Sequence, residues 1–343
     1  YPDDPVVITI SHLGYIKRTA LTEFREQSRG GVGSKGAHTR DEDFTEYIYP
    51  ATMHNTLLFF TQKGRCYWLK CYEIPEGAKN SKGRAIQNLL NIEADDAINA
   101  VLRIKNLNDK EFVDSHYVVF ATKNGIIKKT CLEAYSRPRA NGVNAINILD
   151  GDQVVGVRLT NGHNELLLAN RNGRAIRFNE EELRPMGRVS TGVRGMRLDG
   201  GDDEVVGLVC VNDPQTETIM VVSENGYGKR SDVDDYRKTA RGAKGVKTIS
   251  ITEKTGRLVA IKVVTDENDL MIINKSGILI RMKVADVRVM GRATQGVRLI
   301  NLTKKNDVIA SVCKVMTETE EEPETIVDPD ESPNVENTEN TEN

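Results

Sequence analysis

Aromatic residues make up only 5% of this 343-residue chain, and tryptophan occurs once, at Trp68. Proteins that hold single-stranded nucleic acid stack bases on aromatic rings, so the scarcity argues against a single-strand binder. Cysteine is sparse too. Cys66, Cys71, Cys131, Cys210 and Cys313 are odd in number and contain no Cys-x-x-Cys pair. This points to reduced thiols of a cytoplasmic protein rather than a disulfide frame or a zinc site. The five histidines are scattered, so no metal site is expected. No stretch approaches the about eighteen uninterrupted apolar residues of a membrane helix, and no signal-peptide pattern opens the chain. Helical periodicity is weak, with Leu21–Gln27 and Glu180–Arg184 as short candidates.

Positive charge is present but hidden. The whole chain has 47 Lys+Arg against 50 Asp+Glu, a net charge of −3. From Glu318 onward there are eleven acidic residues and no Lys or Arg, which leaves 39 acidic against 47 basic residues up to Thr317, a net of +8. A basic body carrying an acidic tail predicts a polyanionic partner. The tail is Glu, Thr, Pro and Asn with few apolar residues, and it cannot bury enough surface to offset its ordering entropy. Residues 1–316 are expected to form the folded domain and 317–343 a disordered tail. The chain opens on Tyr1-Pro-Asp-Asp-Pro rather than Met, as expected of a segment of a larger protein.

The body repeats itself six times. Turn glycines Gly14, Gly64, Gly125, Gly173, Gly226 and Gly277 recur roughly every fifty residues, a period of radial or solenoidal repeats. A β-type run precedes each: Val6–Ile10, Leu57–Thr61, Tyr117–Thr122, Glu165–Ala169, Ile219–Ser223 and Leu270–Asn274. A turn closed by glycine and a second strand follow, then a basic loop with another glycine (Gly36, Gly83, Gly142, Gly192, Gly245, Gly296) and later strands such as Gly296–Leu302 and Asp307–Val312. Four strands per repeat and six repeats predict an all-β protein, a propeller-like disc of six four-stranded antiparallel blades. Extra residues between Ile104 and Ser115 read as a polar surface loop.

The repeats share basic residues in register. The fourth residue after each turn glycine is Arg18, Trp68, Lys129, Arg177, Arg230 or Arg281, and Lys17, Lys128 and Lys229 precede three of these. The second-glycine loops add Lys82, Arg84, Arg137, Arg139, Arg188, Arg194, Arg241, Lys244, Arg292 and Arg298. A single basic residue on a strand is ordinarily a solvated face. The same register in five repeats would set charges at equivalent angles around a ring, which suits the spaced phosphates of a duplex. Nothing resembles a recognition helix, so backbone contact without base readout is expected.

The first repeat's loop reads Gln27-Ser28-Arg29-Gly30-Gly31-Val32-Gly33-Ser34-Lys35-Gly36. Gly31, Gly33 and Gly36 match the spacing of a dinucleotide fingerprint, but the strand before and apolar helix after that the fingerprint needs are missing. The bland alternative is a flexible surface loop. The functional one has bare backbone N–H groups, Arg29 and Lys35 approaching phosphates closely.

That loop, the six repeats, and stretches such as Thr191-Gly-Val-Arg-Gly-Met-Arg-Leu198, Glu224-Asn-Gly-Tyr-Gly-Lys-Arg230 and Val289-Met-Gly-Arg-Ala-Thr-Gln-Gly-Val297 resemble the C-terminal domain of the bacterial DNA gyrase A subunit over about Val6 to Val315. The resemblance implies a six-bladed β-pinwheel whose blades exchange strands and whose rim wraps duplex DNA. It implies that the loop Gln27–Lys35 is required for wrapping. Ser28 and Val32 stand where that family usually has basic residues, which weakens the loop's charge. It implies, further, no catalysis by this segment alone, no bound cofactor, and partners in the A-subunit N-terminal region and the gyrase B subunit of an A2B2 assembly. That assembly is an ATP-hydrolysing type II topoisomerase of the nucleoid, in which wrapping enables negative supercoiling. Two alternatives stay open: the corresponding domain of a topoisomerase IV A subunit, and a propeller-type scaffold for proteins.

Overall fold

The apolar runs form strands because β-branched and aromatic side chains fill them and glycine ends them. In the computed structural model, which describes residues 1–24, 43–302 and 306–315, each repeat opens with an antiparallel hairpin. The six hairpins begin with Pro5–Ser11, Thr56–Thr61, Tyr117–Thr122, Glu165–Asn170, Thr218–Ser223 and Asp269–Asn274. The expected strands agree with these to within a residue or two. At the third turn Gly125 donates its N–H to the Thr122 carbonyl at 3.1 Å and holds φ at +93°. A side chain there would meet the Met196 carbonyl oxygen at 2.7 Å, so glycine serves both the turn and the chain packed upon it.

Beside each hairpin runs an inner strand of the same repeat: Thr45–Thr52, Ile98–Ile104, Val154–Thr160, Val205–Val211, Leu258–Val264 and Ile309–Val315. The last inner strand lies further along than the expected Asp307–Val312. From Ile98–Ile104 onward each contacts the next, and Ile309–Val315 contacts Thr45–Thr52, closing a ring. The first hairpin strands are buried along almost their whole length, since sheets face them on both sides.

The fourth strand of a blade comes from the following repeat. Arg84–Ala85, Val143–Asn144, Val193–Arg194, Val246–Lys247 and Val297–Arg298 each pair with the second hairpin strand of the preceding blade. Gly245 shows why the exchange loop needs glycine: with φ at +80°, an added Cβ would lie 2.3 Å from the Ala175 carbonyl oxygen. Among the described residues the sixth sheet has three strands, not the expected four. The expected strand Gly296–Leu302 is cut to Val297–Arg298, because only two residues reach the neighbouring blade.

The insertion after Ile104 departs from a polar loop. Residues Lys110–Ser115 form a helix whose N-cap Asp109 accepts a hydrogen bond from the Phe112 N–H at 3.2 Å. Phe112 and Val113 are buried with Leu107 in the core between blades two and three. A run that looked polar by composition carries an apolar pair, and that pair decides its fate.

Candidate nucleic-acid interface

The register of basic residues belongs to the blade seams. Arg18 Nε donates to the Ile74 carbonyl at 3.0 Å, and Lys129 Nζ lies 3.2 Å from the Glu180 carboxylate. Arg177 donates to the carbonyls of Val233 (3.0 Å) and Tyr236 (2.8 Å), and Arg230 to those of Val284 and Val287. Every acceptor lies in, or just after, the short 3-10 turn of the next repeat. The backbones join as well: Met186, Thr239 and Met290 donate N–H groups to the carbonyls of Lys129, Arg177 and Arg230. Trp68, the one exception to the basic register, donates Nε1–H to the Tyr135 carbonyl at 2.8 Å, the same part of its neighbour. What repeats is therefore an N–H donor, not a charge.

Arg281 supports this from the other side. It sits in the last repeat, and among the described residues no 3-10 turn of a further repeat follows for it to hold. It pairs with Asp269 at 2.8 Å and is 48% exposed. Trp68→Phe removes one staple without introducing a charge. It is expected to cost about 1–3 kcal/mol by leaving the Tyr135 carbonyl without its partner, checked by urea unfolding.

The lysines one residue earlier are also interior. Lys17 donates to the carbonyls of Ala78, Lys79 and Ser81, Lys128 to those of Ala145 and Arg188, and Lys229 to those of Gly291 and Thr294. Burial, helped by the positive charge of Arg188 or Arg292, brings Lys128 and Lys229 down to about 7. The seven residues Lys17, Arg18, Lys128, Lys129, Arg177, Lys229 and Arg230 are thus not a surface track for phosphates. They bond into the 3-10 turn or exchange loop of the next repeat, Lys128 also to Ala145, Arg177 to Glu165 and Arg230 to Thr218 of their own repeats, and only Arg18 reaches intermediate exposure.

A pH dependence follows. The unfolded chain keeps the Lys229 proton up to an ordinary value of 10.5, whereas the fold releases it near 7. Between these values the unfolded state binds more protons, so this lysine's contribution to stability rises with pH across the window. Lys229→Met abolishes that component. Wild type should therefore gain stability relative to the variant as pH is raised from 7 to 10, read from melting temperatures of the two side by side.

Other basic residues do face outward, and they cluster on the exchanged strands and the loops leading to them. Lys82, Arg84, Arg137, Arg139, Arg194, Lys244 and Arg298 are exposed, and Arg241 and Arg292 are half-buried. Arg194, Lys247 and Arg298 occupy one equivalent position, each opposite the residue that follows the turn glycine of the blade it completes. Sequence reasoning missed Lys247, because a two-residue strand has no periodicity to betray it.

The half-buried arginines knit this rim. Arg188, Arg241 and Arg292 reach back to the carbonyls of Asn144, Arg194 and Lys247, on the exchanged strand supplied by the preceding repeat. Arg298 donates to the Tyr227 hydroxyl at 2.7 Å, which lowers that phenol's pKa. Some outward cations face carboxylates, as Arg137 does Glu133 and Lys244 does Asp199 at 3.1 Å. Such exposed pairs are weak and exchange readily for phosphate. The loop residues Gln27, Ser28, Arg29, Gly30, Gly31, Val32, Gly33, Ser34 and Lys35 lie outside the described residues, as does the acidic tail. Among the described residues no helix is long and apolar enough to cross a membrane.

Comparison with known proteins matches this architecture segment by segment. The family described as "DNA gyrase C-terminal domain, beta-propeller" matches residues 5–51, 55–105, 116–161, 164–212, 217–265 and 268–313, each segment holding one hairpin and its inner strand. The A subunit of DNA gyrase from Staphylococcus aureus (strain MRSA252) is 44% identical over 323 residues, 94% of this chain and 36% of that protein. The chain thus spans just over a third of the length of the curated relatives it matches. Among solved structures, the C-terminal domain of DNA topoisomerase IV is similar with a TM-score of 0.80 at 28% identity, covering 94% of this chain and 96% of that one. The DNA gyrase A C-terminal domain shares the fold with a TM-score of 0.66 at 23% identity, covering 91% and 100%. With all six repeats matched in order, the chain belongs to the DNA gyrase C-terminal domain, beta-propeller family.

Proposed function

We propose that this domain binds duplex DNA along its outer rim and wraps it, as the wrapping module of a gyrase A subunit. The observation that carries this is the exposed basic position repeated on successive exchanged strands, Arg194, Lys247 and Arg298. Cations at one structural position in consecutive blades follow the curve of the disc, so a duplex tracking them must bend. Bending a 20–30 bp site costs on the order of 1–6 kcal/mol, more than one exposed ion pair supplies. Many weak phosphate contacts from Lys82, Arg84, Arg137, Arg139, Arg241, Lys244 and Arg292 add to the repeated three. The loop Gln27–Lys35 belongs to the same proposal as a close-approach point for phosphates, with Arg29 and Lys35 as its charges.

Within the whole protein, the A-subunit N-terminal region and the gyrase B subunit would supply strand cleavage and ATP hydrolysis in an A2B2 enzyme of the bacterial cytoplasm. This domain supplies DNA geometry and no chemistry of its own, and we assign DNA binding at the rim no cofactor.

A topoisomerase IV A subunit is the second reading, favoured by the TM-score of 0.80 to such a domain. It predicts duplex binding with little wrap. Relaxed plasmid DNA incubated with the domain, then nicked and resealed, separates the two: wrapping leaves a shift in linking number that grows with protein. Replacing Arg29, Gly30 and Gly31 together by alanine should abolish that shift while leaving duplex affinity. Binding without any topological shift in wild type would sink the wrapping assignment.

A further inference from the structure

The seam between blades six and one differs from the other five. Each other pair of neighbours shares a buried apolar cluster, whereas among the described residues no such cluster holds side chains of both blade six and blade one. Their inner strands nevertheless meet, and a polar group lies at the meeting. His12 opens the blade-one turn, Glu46 sits on the blade-one inner strand, and Cys313 on the blade-six inner strand. His12 Nδ1 is 3.3 Å from Glu46 Oε1 and 3.7 Å from Cys313 Sγ. All three donor atoms lie within 4.8 Å of one another. The imidazole is held in place by stacking on Phe44, with ring centroids 4.9 Å apart, and by its own backbone N–H donating to the Phe44 carbonyl.

We propose that His12, Glu46 and Cys313 bind a divalent transition-metal ion, zinc foremost, that ties the last blade to the first. Nitrogen, oxygen and thiolate sulfur together are a zinc donor set. Tetrahedral bonds of about 2.0 Å to nitrogen or oxygen and about 2.3 Å to sulfur separate nitrogen from oxygen by about 3.3 Å and nitrogen from sulfur by about 3.5 Å. The distances of 3.3 and 3.7 Å already stand close to that arrangement. Water takes the fourth position: His12 and Glu46 are 30% and 18% exposed, so solvent and the ion have access. On binding, the Cys313 thiol loses its proton to solvent, and thiolate plus carboxylate balance the two positive charges of the ion. Because His12 and Cys313 are 301 residues apart in sequence and on opposite sides of the seam, metal binding favours the closed ring by its own free energy. This goes beyond the DNA-wrapping proposal and stands independently of it, since one uses the rim and the other the seam.

Cobalt(II) titration of the full chain tests the proposal. One equivalent should give the near-ultraviolet thiolate charge-transfer band and the intense visible bands of tetrahedral cobalt, both displaced by zinc. Cys313→Ser, checked by circular dichroism to be folded, should lose the charge-transfer band, whereas Cys131→Ser, at the other partly exposed thiol, should retain it. His12→Gln should weaken zinc binding by more than the about 10–100-fold lost when an outer-shell partner is removed. Zinc should raise the melting temperature of wild type by several degrees and leave that of Cys313→Ser unmoved. Absence of a tetrahedral cobalt spectrum in wild type, or a thiolate band that survives Cys313→Ser, overturns the site. A cobalt spectrum in a protein that fails to bind duplex would instead remove only the wrapping assignment.

Discussion

Lys129→Met should destabilise the domain by about 3–5 kcal/mol, measured by urea unfolding at neutral pH. The two charges lie 3.2 Å apart with side chains 5% and 0% exposed, so removing the cation strands a carboxylate in the interior. Glu180 keeps hydrogen bonds from the Thr160 hydroxyl at 2.7 Å and the Asn164 N–H at 2.8 Å. Those bonds orient the group but do not neutralise it. Adding Glu180→Gln to the methionine variant should recover a large part of the loss, because an amide can be buried without a counter-ion. A single variant as stable as wild type would show that solvent reaches this seam.

The second large effect concerns salt. If about eight phosphates are neutralised along the rim, duplex affinity should fall by roughly three to five decades between 50 and 200 mM salt. Replacing Arg194, Lys247 and Arg298 with alanine should weaken binding for any DNA sequence and flatten the slope of log affinity on log salt by roughly three. By contrast, substitutions at Arg177 or Arg230 should act on stability first, since those side chains are 6% exposed. Equal loss of affinity from stably folded variants of both groups would contradict this division. A salt slope near zero would favour a protein-binding scaffold.

The hairpins were legible in the sequence because β-branched runs closed by glycine admit few other structures, and their spacing revealed the repeat. Register identifies residues that are equivalent in the fold, but it does not say which way they face. Arg18, Lys129, Arg177 and Arg230 are equivalent because an acceptor at the 3-10 turn of the next repeat needs a donor. Trp68 carried that message in the sequence: an indole in a row of cations shares only its N–H with them. The exchanged strands were illegible for a different reason. Two residues cannot display alternation, and their partners lie in another repeat, some seventy residues away in the pairing of Arg174 with Lys247. Cys313 beside His12 is the extreme case, because ring closure alone brings the first and last repeats together and no local pattern encodes it.

Exchange of strands also sets an order of events at the ribosome. A blade whose last strand lies in the next repeat cannot be completed when its own residues emerge; it must wait for 33 to 40 more. At about 5–20 residues per second, that leaves the edge of each such blade unpaired for about 2–8 seconds after its own residues have emerged. Over that interval the second hairpin strand offers its backbone to any extended peptide nearby, including the same strand of another nascent chain. Codon choice that slows translation within a repeat would lengthen the exposure, and the cost would appear as aggregation during synthesis rather than as lower stability of the finished protein.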